Sequence, residues 1–148
     1  MVLVLILSST PASAQFVSLV GGPPPVQDFN TLAASGSSST LPNGWYLAET
    51  DDNANSEYRA GDGSVNSGDT YSFGAGTDSE RAFGTLQSSS LVSRIGAQLR
   101  NDSGLAVTEI TVNYTGEQWR LGATGRADTL KFEYSANATG LNDPAANW

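Results

Sequence analysis

The chain has no cysteine and no histidine. The first absence removes disulfides, thiolate nucleophiles and Cys-His catalysis. The second removes the Ser-His-Asp triad, and the two together remove the ordinary zinc site. Lysine is reduced to Lys131, so catalysis would have to rest on carboxylates, Arg, Tyr and that one amine. Basic residues are scarce: 7 stand against 15 acidic ones, for a net charge of −8. An acidic chain repels phosphate backbones, which argues against a nucleic-acid partner. The few basic residues are scattered and form no patch for an anionic membrane surface. No apolar run reaches the roughly 18 residues of a membrane span.

What is present is small and polar. The chain carries 16 Gly and long runs of Ser, Thr, Asn and Asp. This suits short strands joined by turns and suits helices badly. Its 148 residues suffice for one domain with one sizeable core. The clearest local signal lies in residues 106–136. Ala106 to Arg120 reads AVTEITVNYTGEQWR, and Thr129 to Ala136 reads TLKFEYSA. Ile110, Val112 and Tyr114 fall on one side with Thr111, Asn113 and Thr115 on the other. Leu130, Phe132 and Tyr134 likewise oppose Lys131 and Glu133. Period-two alternation of β-branched and aromatic residues predicts a half-buried hairpin, hence an antiparallel sheet with one wet face.

Residues 1–14 (MVLVLILSSTPASA) combine an apolar run, Val2 to Leu7, with the small-residue site Ala12-Ser13-Ala14. This is the pattern of a secretory signal peptide; a buried N-terminal strand is the alternative. No basic residue precedes the apolar run, so the expected start lies upstream of Met1. Residues 15–25 form a lead that ends in Gly21-Gly22-Pro23-Pro24-Pro25, a stretch that breaks any element. Residues 26–148 then read as an all-β, antiparallel β-sandwich module of seven or eight strands. Predicted strands are Val26–Phe29, Trp45–Thr50, a short piece about Tyr58 and Arg59, Tyr71–Gly74, Arg81–Leu86 and Ser93–Asn101, besides the 106–136 hairpin. Phe16–Val20 is a short strand or a frayed lead. Asp51–Thr70 reads as a solvated loop, and Thr31–Thr40 as a Ser-rich one. Trp148 follows a turn where another strand would open, so the final strands and further domains of the same polypeptide are expected beyond it.

The series LPNGWYLAE, AGDGSVNSGDTYSFGA, ERAFGTL, IGAQLRN, NYTGEQWRLG and DTLKFEYS resembles an N-terminal domain of secreted bacterial proteins. These include surface proteins with a PEP-CTERM sorting tail and some extracellular endonuclease/exonuclease/phosphatase or lamin-tail proteins. The resemblance spans about residues 26–148, and its most specific piece is Gly116-Glu117-Gln118-Trp119-Arg120. It implies a jelly-roll sandwich similar to the concanavalin-like lectins, and it carries no catalytic residue set. Lectin-like fold and lectin function are separate matters.

Two constellations bear on ligands. Asp51, Asn53, Asn55, Glu57 and Asp62 occupy positions 1, 3, 5, 7 and 12 of a calcium-loop spacing, which would supply alternate oxygens to the ion. Ser56 stands where that loop needs Gly, Asp62 stands where Glu is usual, and no helices flank it. A solvated polar loop is the competing reading, with Asp69, Asp78 and Glu80 as further carboxylates for a cation. Glu117, Trp119 and Arg120 form the second constellation: an aromatic face for a pyranose, flanked by charges for its hydroxyls. Alternatively, Trp119 caps the core and Glu117 pairs with Arg81 or Arg126. Glu49, Glu117 and Glu133 lie on predicted strands, but nothing in the sequence brings two of them together as a glycosidase pair. Three Asn-x-Ser/Thr sequons, at Asn101, Asn113 and Asn137, fit ordinary turn and strand usage.

The expectation is therefore a non-enzymatic, exported β-sandwich module with a glycan or cell-surface polymer as partner and calcium as candidate cofactor. A structural spacer or adhesion domain, or the accessory front of an extracellular hydrolase, is the alternative. A carbohydrate module exposes aromatics; a spacer buries all three Trp.

Overall fold

A computed structural model describes residues 15–23, 25–76, 78–125, 127 and 129–148. The signal-peptide expectation for residues 1–14 lies outside them. The described chain is all-β and contains no helix. Its strands are β1 (Val17–Leu19), β2 (Ser37–Ser38), β3 (Trp45–Thr50), β4 (Tyr58–Gly61), β5 (Asp69–Phe73), β6 (Ala82–Leu86), β7 (Val92–Ala97) and β8 (Leu99–Asn101).

They form a four-stranded sheet in the order β2-β4-β5-β6 and two pairs, β3-β7 and β1-β8. The pairing is mixed and not purely antiparallel as expected: β4-β5 and β1-β8 run parallel. The longest ladder joins β3 to β7, antiparallel from Trp45↔Ala97 to Thr50↔Val92. β5 and β6 pair antiparallel from Asp69↔Leu86 to Phe73↔Ala82.

The apolar core is Leu32, Tyr58 and Phe83, with Phe29, Ala33, Leu41, Leu47 and Ile95 packed against it. Leu47 belongs to β3 and Ile95 to β7, so the β3-β7 pair covers the Tyr58–Phe83 face of the larger sheet. Aromatic contacts bind this layer: Phe29 meets Trp45 edge-on at 4.6 Å and Phe83 at 5.5 Å, and Tyr58 meets Phe83 at 5.9 Å. The Tyr58 hydroxyl accepts from the Ala33 N–H and donates to the Thr40 carbonyl, both at 3.0 Å, so its burial leaves no polar atom stranded.

Three expectations are corrected. Val26–Phe29 is not a strand. The Gln27 side chain takes the Phe29 N–H at 2.7 Å, and the Asp28 carboxylate takes the Asn30 N–H at 3.1 Å. Side-chain capture of the backbone competes with a ladder, and Phe29 sits at φ 60°, outside strand geometry. Asp51–Thr70 carries the short strand expected about Tyr58 and Arg59, as β4, but the rest is not all solvated loop: it supplies the start of β5, where Asp69 and Thr70 are buried, as is Tyr58. Among the described residues the predicted hairpin at 106–136 forms no ladder, and each residue from Gly104 to Gln118 is exposed, as is each from Thr129 to Tyr134.

Candidate functional site

β5 is buried on both faces, which organises everything around it. Its inward side chains are Thr70 and Ser72. Glu49 of β3 reaches across to Thr70: one carboxylate oxygen accepts from the Thr70 N–H at 3.1 Å and from its hydroxyl at 2.7 Å. The other oxygen accepts from the Asn55 N–H at 2.9 Å. The Thr70 hydroxyl also bonds Ser93 of β7 at 2.5 Å. A buried carboxylate is tolerated when its lone pairs are filled, and here both oxygens are engaged. Beside it, Asp69 pairs with Arg59 at 3.4 Å. Burial pushes the Asp69 carboxyl above its ordinary pKa, and the Glu49 charge adds to this. The Thr70 N–H and Arg59 pull the other way.

Arg81 is only 2% exposed. Its Nε donates to the Ser72 hydroxyl at 2.9 Å, and its Nη2 donates to the Ser72 carbonyl. A Cβ on Gly74 would overlap Arg81 Nη1, so the guanidinium occupies space that only glycine leaves open. These groups satisfy one another. Among the described residues no buried side-chain polar atom lacks a partner. The network therefore ties β3, β5 and β7 together.

The outward face of β5 carries Tyr71 and Phe73, stacked at 4.9 Å with planes 21° apart. Trp119 extends the stack, lying on Phe73 at 6.0 Å and 8°. Its indole N–H donates to Glu117 at 2.8 Å. Arg120 Nη1 donates to the carbonyls of Gly63 and Ser64, each at 3.1 Å. The three residues of the predicted sugar platform thus stand together, but their polar groups are engaged within the chain. Trp119 and Arg120 are half-buried and Glu117 is exposed. Glu117 bonds Trp119; Arg81, one of its expected partners, is buried on Ser72, and the other, Arg126, lies outside the described residues.

The calcium-loop side chains are engaged separately, Asn55 and Asp62 in local turns and Asn53 with a residue far along the chain. Asn53 Nδ2 donates to Ser90 at 2.9 Å, and Asn55 Oδ1 accepts from the Glu57 N–H at 2.7 Å. Asp62 Oδ1 accepts from the Ser64 N–H at 3.0 Å and from its hydroxyl at 2.5 Å, which holds its pKa below the usual value. Asp51 turns the chain at φ 75°. Among the described residues no three acidic side chains gather as a metal ligand set, Asp69, Asp78 and Glu80 included. Calcium coordination here requires these bonds to be exchanged for metal contacts.

Sequence reasoning misses the other end of the chain. Tyr134, Ala136, Asn137, Asn147 and Trp148 line an open cleft of about 380 Å³. In the preceding segment Tyr114 and Phe132 lie parallel, centroids 6.1 Å apart and planes 8° apart. Tyr114 is 66% exposed, Phe132 62%, Tyr134 80% and Trp148 49%. The signal in the sequence is the alternation itself, which reads as a buried face; the outward aromatics are the same residues. No family model matches this chain, and no curated protein or solved structure is significantly similar to it. The resemblance to secreted bacterial domains therefore rests on the residues quoted for it.

Proposed function

We propose that the chain is a non-catalytic, exported β-sandwich module that binds carbohydrate, a glycan or cell-surface polymer, through solvent-facing aromatic rings. The observation that carries this reading is the exposure of Tyr114, Phe132, Tyr134 and Trp148 in the C-terminal third of the chain. Aromatic faces bind the apolar face of a sugar ring, and rings left in water are available for it. The engagement of the carboxylates supports a binding module over a hydrolase: Glu49 is filled by hydrogen bonds, and Lys131 ties up Glu133 at 2.6 Å. A lectin-like jelly roll is the fold this reading takes for the module. The packing of Trp119 on Phe73, and of Trp45 on Phe29, favours the structural-spacer alternative for that part of the chain.

Affinity electrophoresis of the full chain through gels containing neutral polysaccharides tests the proposal. Retardation is expected with at least one polymer. Phe132→Ala combined with Tyr114→Ala weakens it at least about tenfold, the loss expected when stacking worth about 1.4 kcal/mol is removed. Free migration in every gel, or retardation indifferent to the double substitution, overturns it.

A further inference from the structure

We infer that the cleft between Tyr134 and Trp148 is a subsite for one neutral sugar ring, an inference that rests on the carbohydrate reading. Asn137 is the frame of the cleft: Nδ2 donates to the Ala145 carbonyl at 3.1 Å, and Oδ1 accepts from the Asn147 N–H and from the Ser135 hydroxyl, both at 2.9 Å. Asp143 closes the turn behind it, accepting from the Thr139 N–H at 2.9 Å, the Thr139 hydroxyl at 2.8 Å and the Ala145 N–H at 2.9 Å.

The turn is fastened to the β3-β7 pair. Leu141 lies over Gly96, where a Cβ would stand 2.7 Å from its Cδ2. Arg94 Nη1 donates to Asn142 at 2.6 Å. The turn that carries Asn137 is thus held in place before any ligand arrives, and such preorganisation lowers the cost of binding.

The chemistry of the lining selects the ligand. Tyr134 and Trp148 offer two ring faces, which suit the apolar face of a pyranose. The side-chain amide of Asn147 makes no hydrogen bond among the described residues, and it presents both a donor and an acceptor, as sugar hydroxyls require. None of the five lining residues carries a charged side chain, and the chain has a net charge of −8. A uronic or sialic acid would meet repulsion with no cation in the lining to offset it, so the ring is neutral. The volume of about 380 Å³ lies at the small end of ligand sites, which suits one ring of a longer chain.

Titration of the full chain with cellohexaose, xylohexaose, laminarihexaose and mannohexaose, with hexagalacturonate as the anionic probe, tests this by calorimetry and tryptophan fluorescence. At least one neutral hexasaccharide is expected to bind and to change Trp fluorescence. Asn147→Ala and Trp148→Ala each weaken it at least about tenfold with unchanged melting temperature. Asn147 and Trp148 lie outside the core cluster, so these variants fold; Tyr134→Ala provides a third, with the same expected loss. Binding that survives all three substitutions but is lost in Phe132→Ala overturns the subsite and leaves the carbohydrate reading standing. Tighter binding of hexagalacturonate overturns the neutral-ligand assignment. No binding by any hexasaccharide, together with free migration in every polysaccharide gel, overturns both.

Discussion

Gly63→Ala should destabilise the chain well beyond the strain of its backbone angle. Gly63 sits at φ +82°, and a Cβ there would overlap the Trp119 carbonyl oxygen and stand 2.8 Å from its carbonyl carbon. The conformational cost of alanine in the left-handed region is about 1–2 kcal/mol. The clash is with backbone, which no side-chain rotation relieves, so the Trp119–Arg120 segment has to move. That movement forfeits the Trp119–Phe73 stack, about 0.5–1.5 kcal/mol, and the Arg120 bonds to Gly63 and Ser64, about 1 kcal/mol net. Gly36→Ala is the control, because Gly36 has φ +67° and a Cβ added there would meet nothing within 4 Å. Both variants reduce the freedom of the unfolded chain equally, so that contribution cancels in the comparison. The difference is about 1.5–2.5 kcal/mol, the range spanned by the stack and the bonds together. At about 2–4 °C per kcal/mol for a chain of this size, Gly63→Ala should melt roughly 3–10 °C below Gly36→Ala. Thermal unfolding followed by circular dichroism measures this, and a red shift in tryptophan emission should accompany it. Equal melting temperatures would refute the docking of Trp119 onto the larger sheet.

The buried polar network makes its own predictions. Glu49→Ala removes the acceptor for Thr70 and Asn55, and urea denaturation should show a loss of about 2–4 kcal/mol; a loss under about 1 kcal/mol would mean that water fills the gap. Asp69→Asn should raise the melting temperature at pH 7 and leave it nearly unchanged at pH 3. Burial raises the Asp69 carboxyl, so the native chain holds this proton more tightly than the unfolded chain. Its contribution is present at acid pH and declines as pH rises through the raised folded value. Asp62, Asp102 and Asp143 run the opposite way: each is lowered by hydrogen bonds, and its stabilisation is lost as pH falls through the lowered value. An Asp69→Asn effect equal at both pH values would contradict the assignment. Calcium and chelator should give the same melting temperature, since Asn55 and Asp62 hold their partners in local turns and Asn53 is bonded to the distant Ser90; a calcium-dependent rise abolished by Asp62→Asn would show that the loop exchanges those bonds for an ion.

Local pattern finds the elements whose partners are dictated locally. Trp45–Thr50 is a strand with the bounds read from its residues, and alternation identifies Ser93–Asn101. That second stretch is nonetheless two strands. The Gln98 N–H donates to Gly44 and its carbonyl accepts from Val17, each at 2.8 Å, so the chain leaves β3 and joins β1 there. Nothing near Gln98 in sequence announces a partner as distant as Val17. Thr70 misleads for a related reason. In a run of Gly, Ser, Asn and Asp it reads as solvated, yet its hydroxyl is filled by Glu49 and Ser93, and only such distant partners make its burial tolerable. The parallel pairing of β4 with β5 is equally silent in the sequence, because alternation fixes the face of a side chain and not the direction of the neighbouring strand.

The same reasoning explains why the strongest pattern in the chain is the least faithful guide to its fold. β propensity measures the fit of a side chain to a pleated, half-buried neighbour, and 106–136 has no such neighbour among the described residues. Among those residues no backbone–backbone hydrogen bond joins it to another segment. Ile110, Val112, Leu130 and Phe132 each forgo much of the roughly 1.5–3 kcal/mol that full burial would bring. A ligand or polymer that covered them would recover part of that free energy, which supports the proposal that binding occurs here. The core of Leu32, Tyr58 and Phe83 and the polar network about Thr70 involve none of these residues. On the proposed reading, the side chains that would bind are therefore separate from those that hold the core together. Substitutions at Phe132, Asn147 or Trp148 can weaken binding without unfolding the module, and those at Gly63 or Glu49 do the reverse.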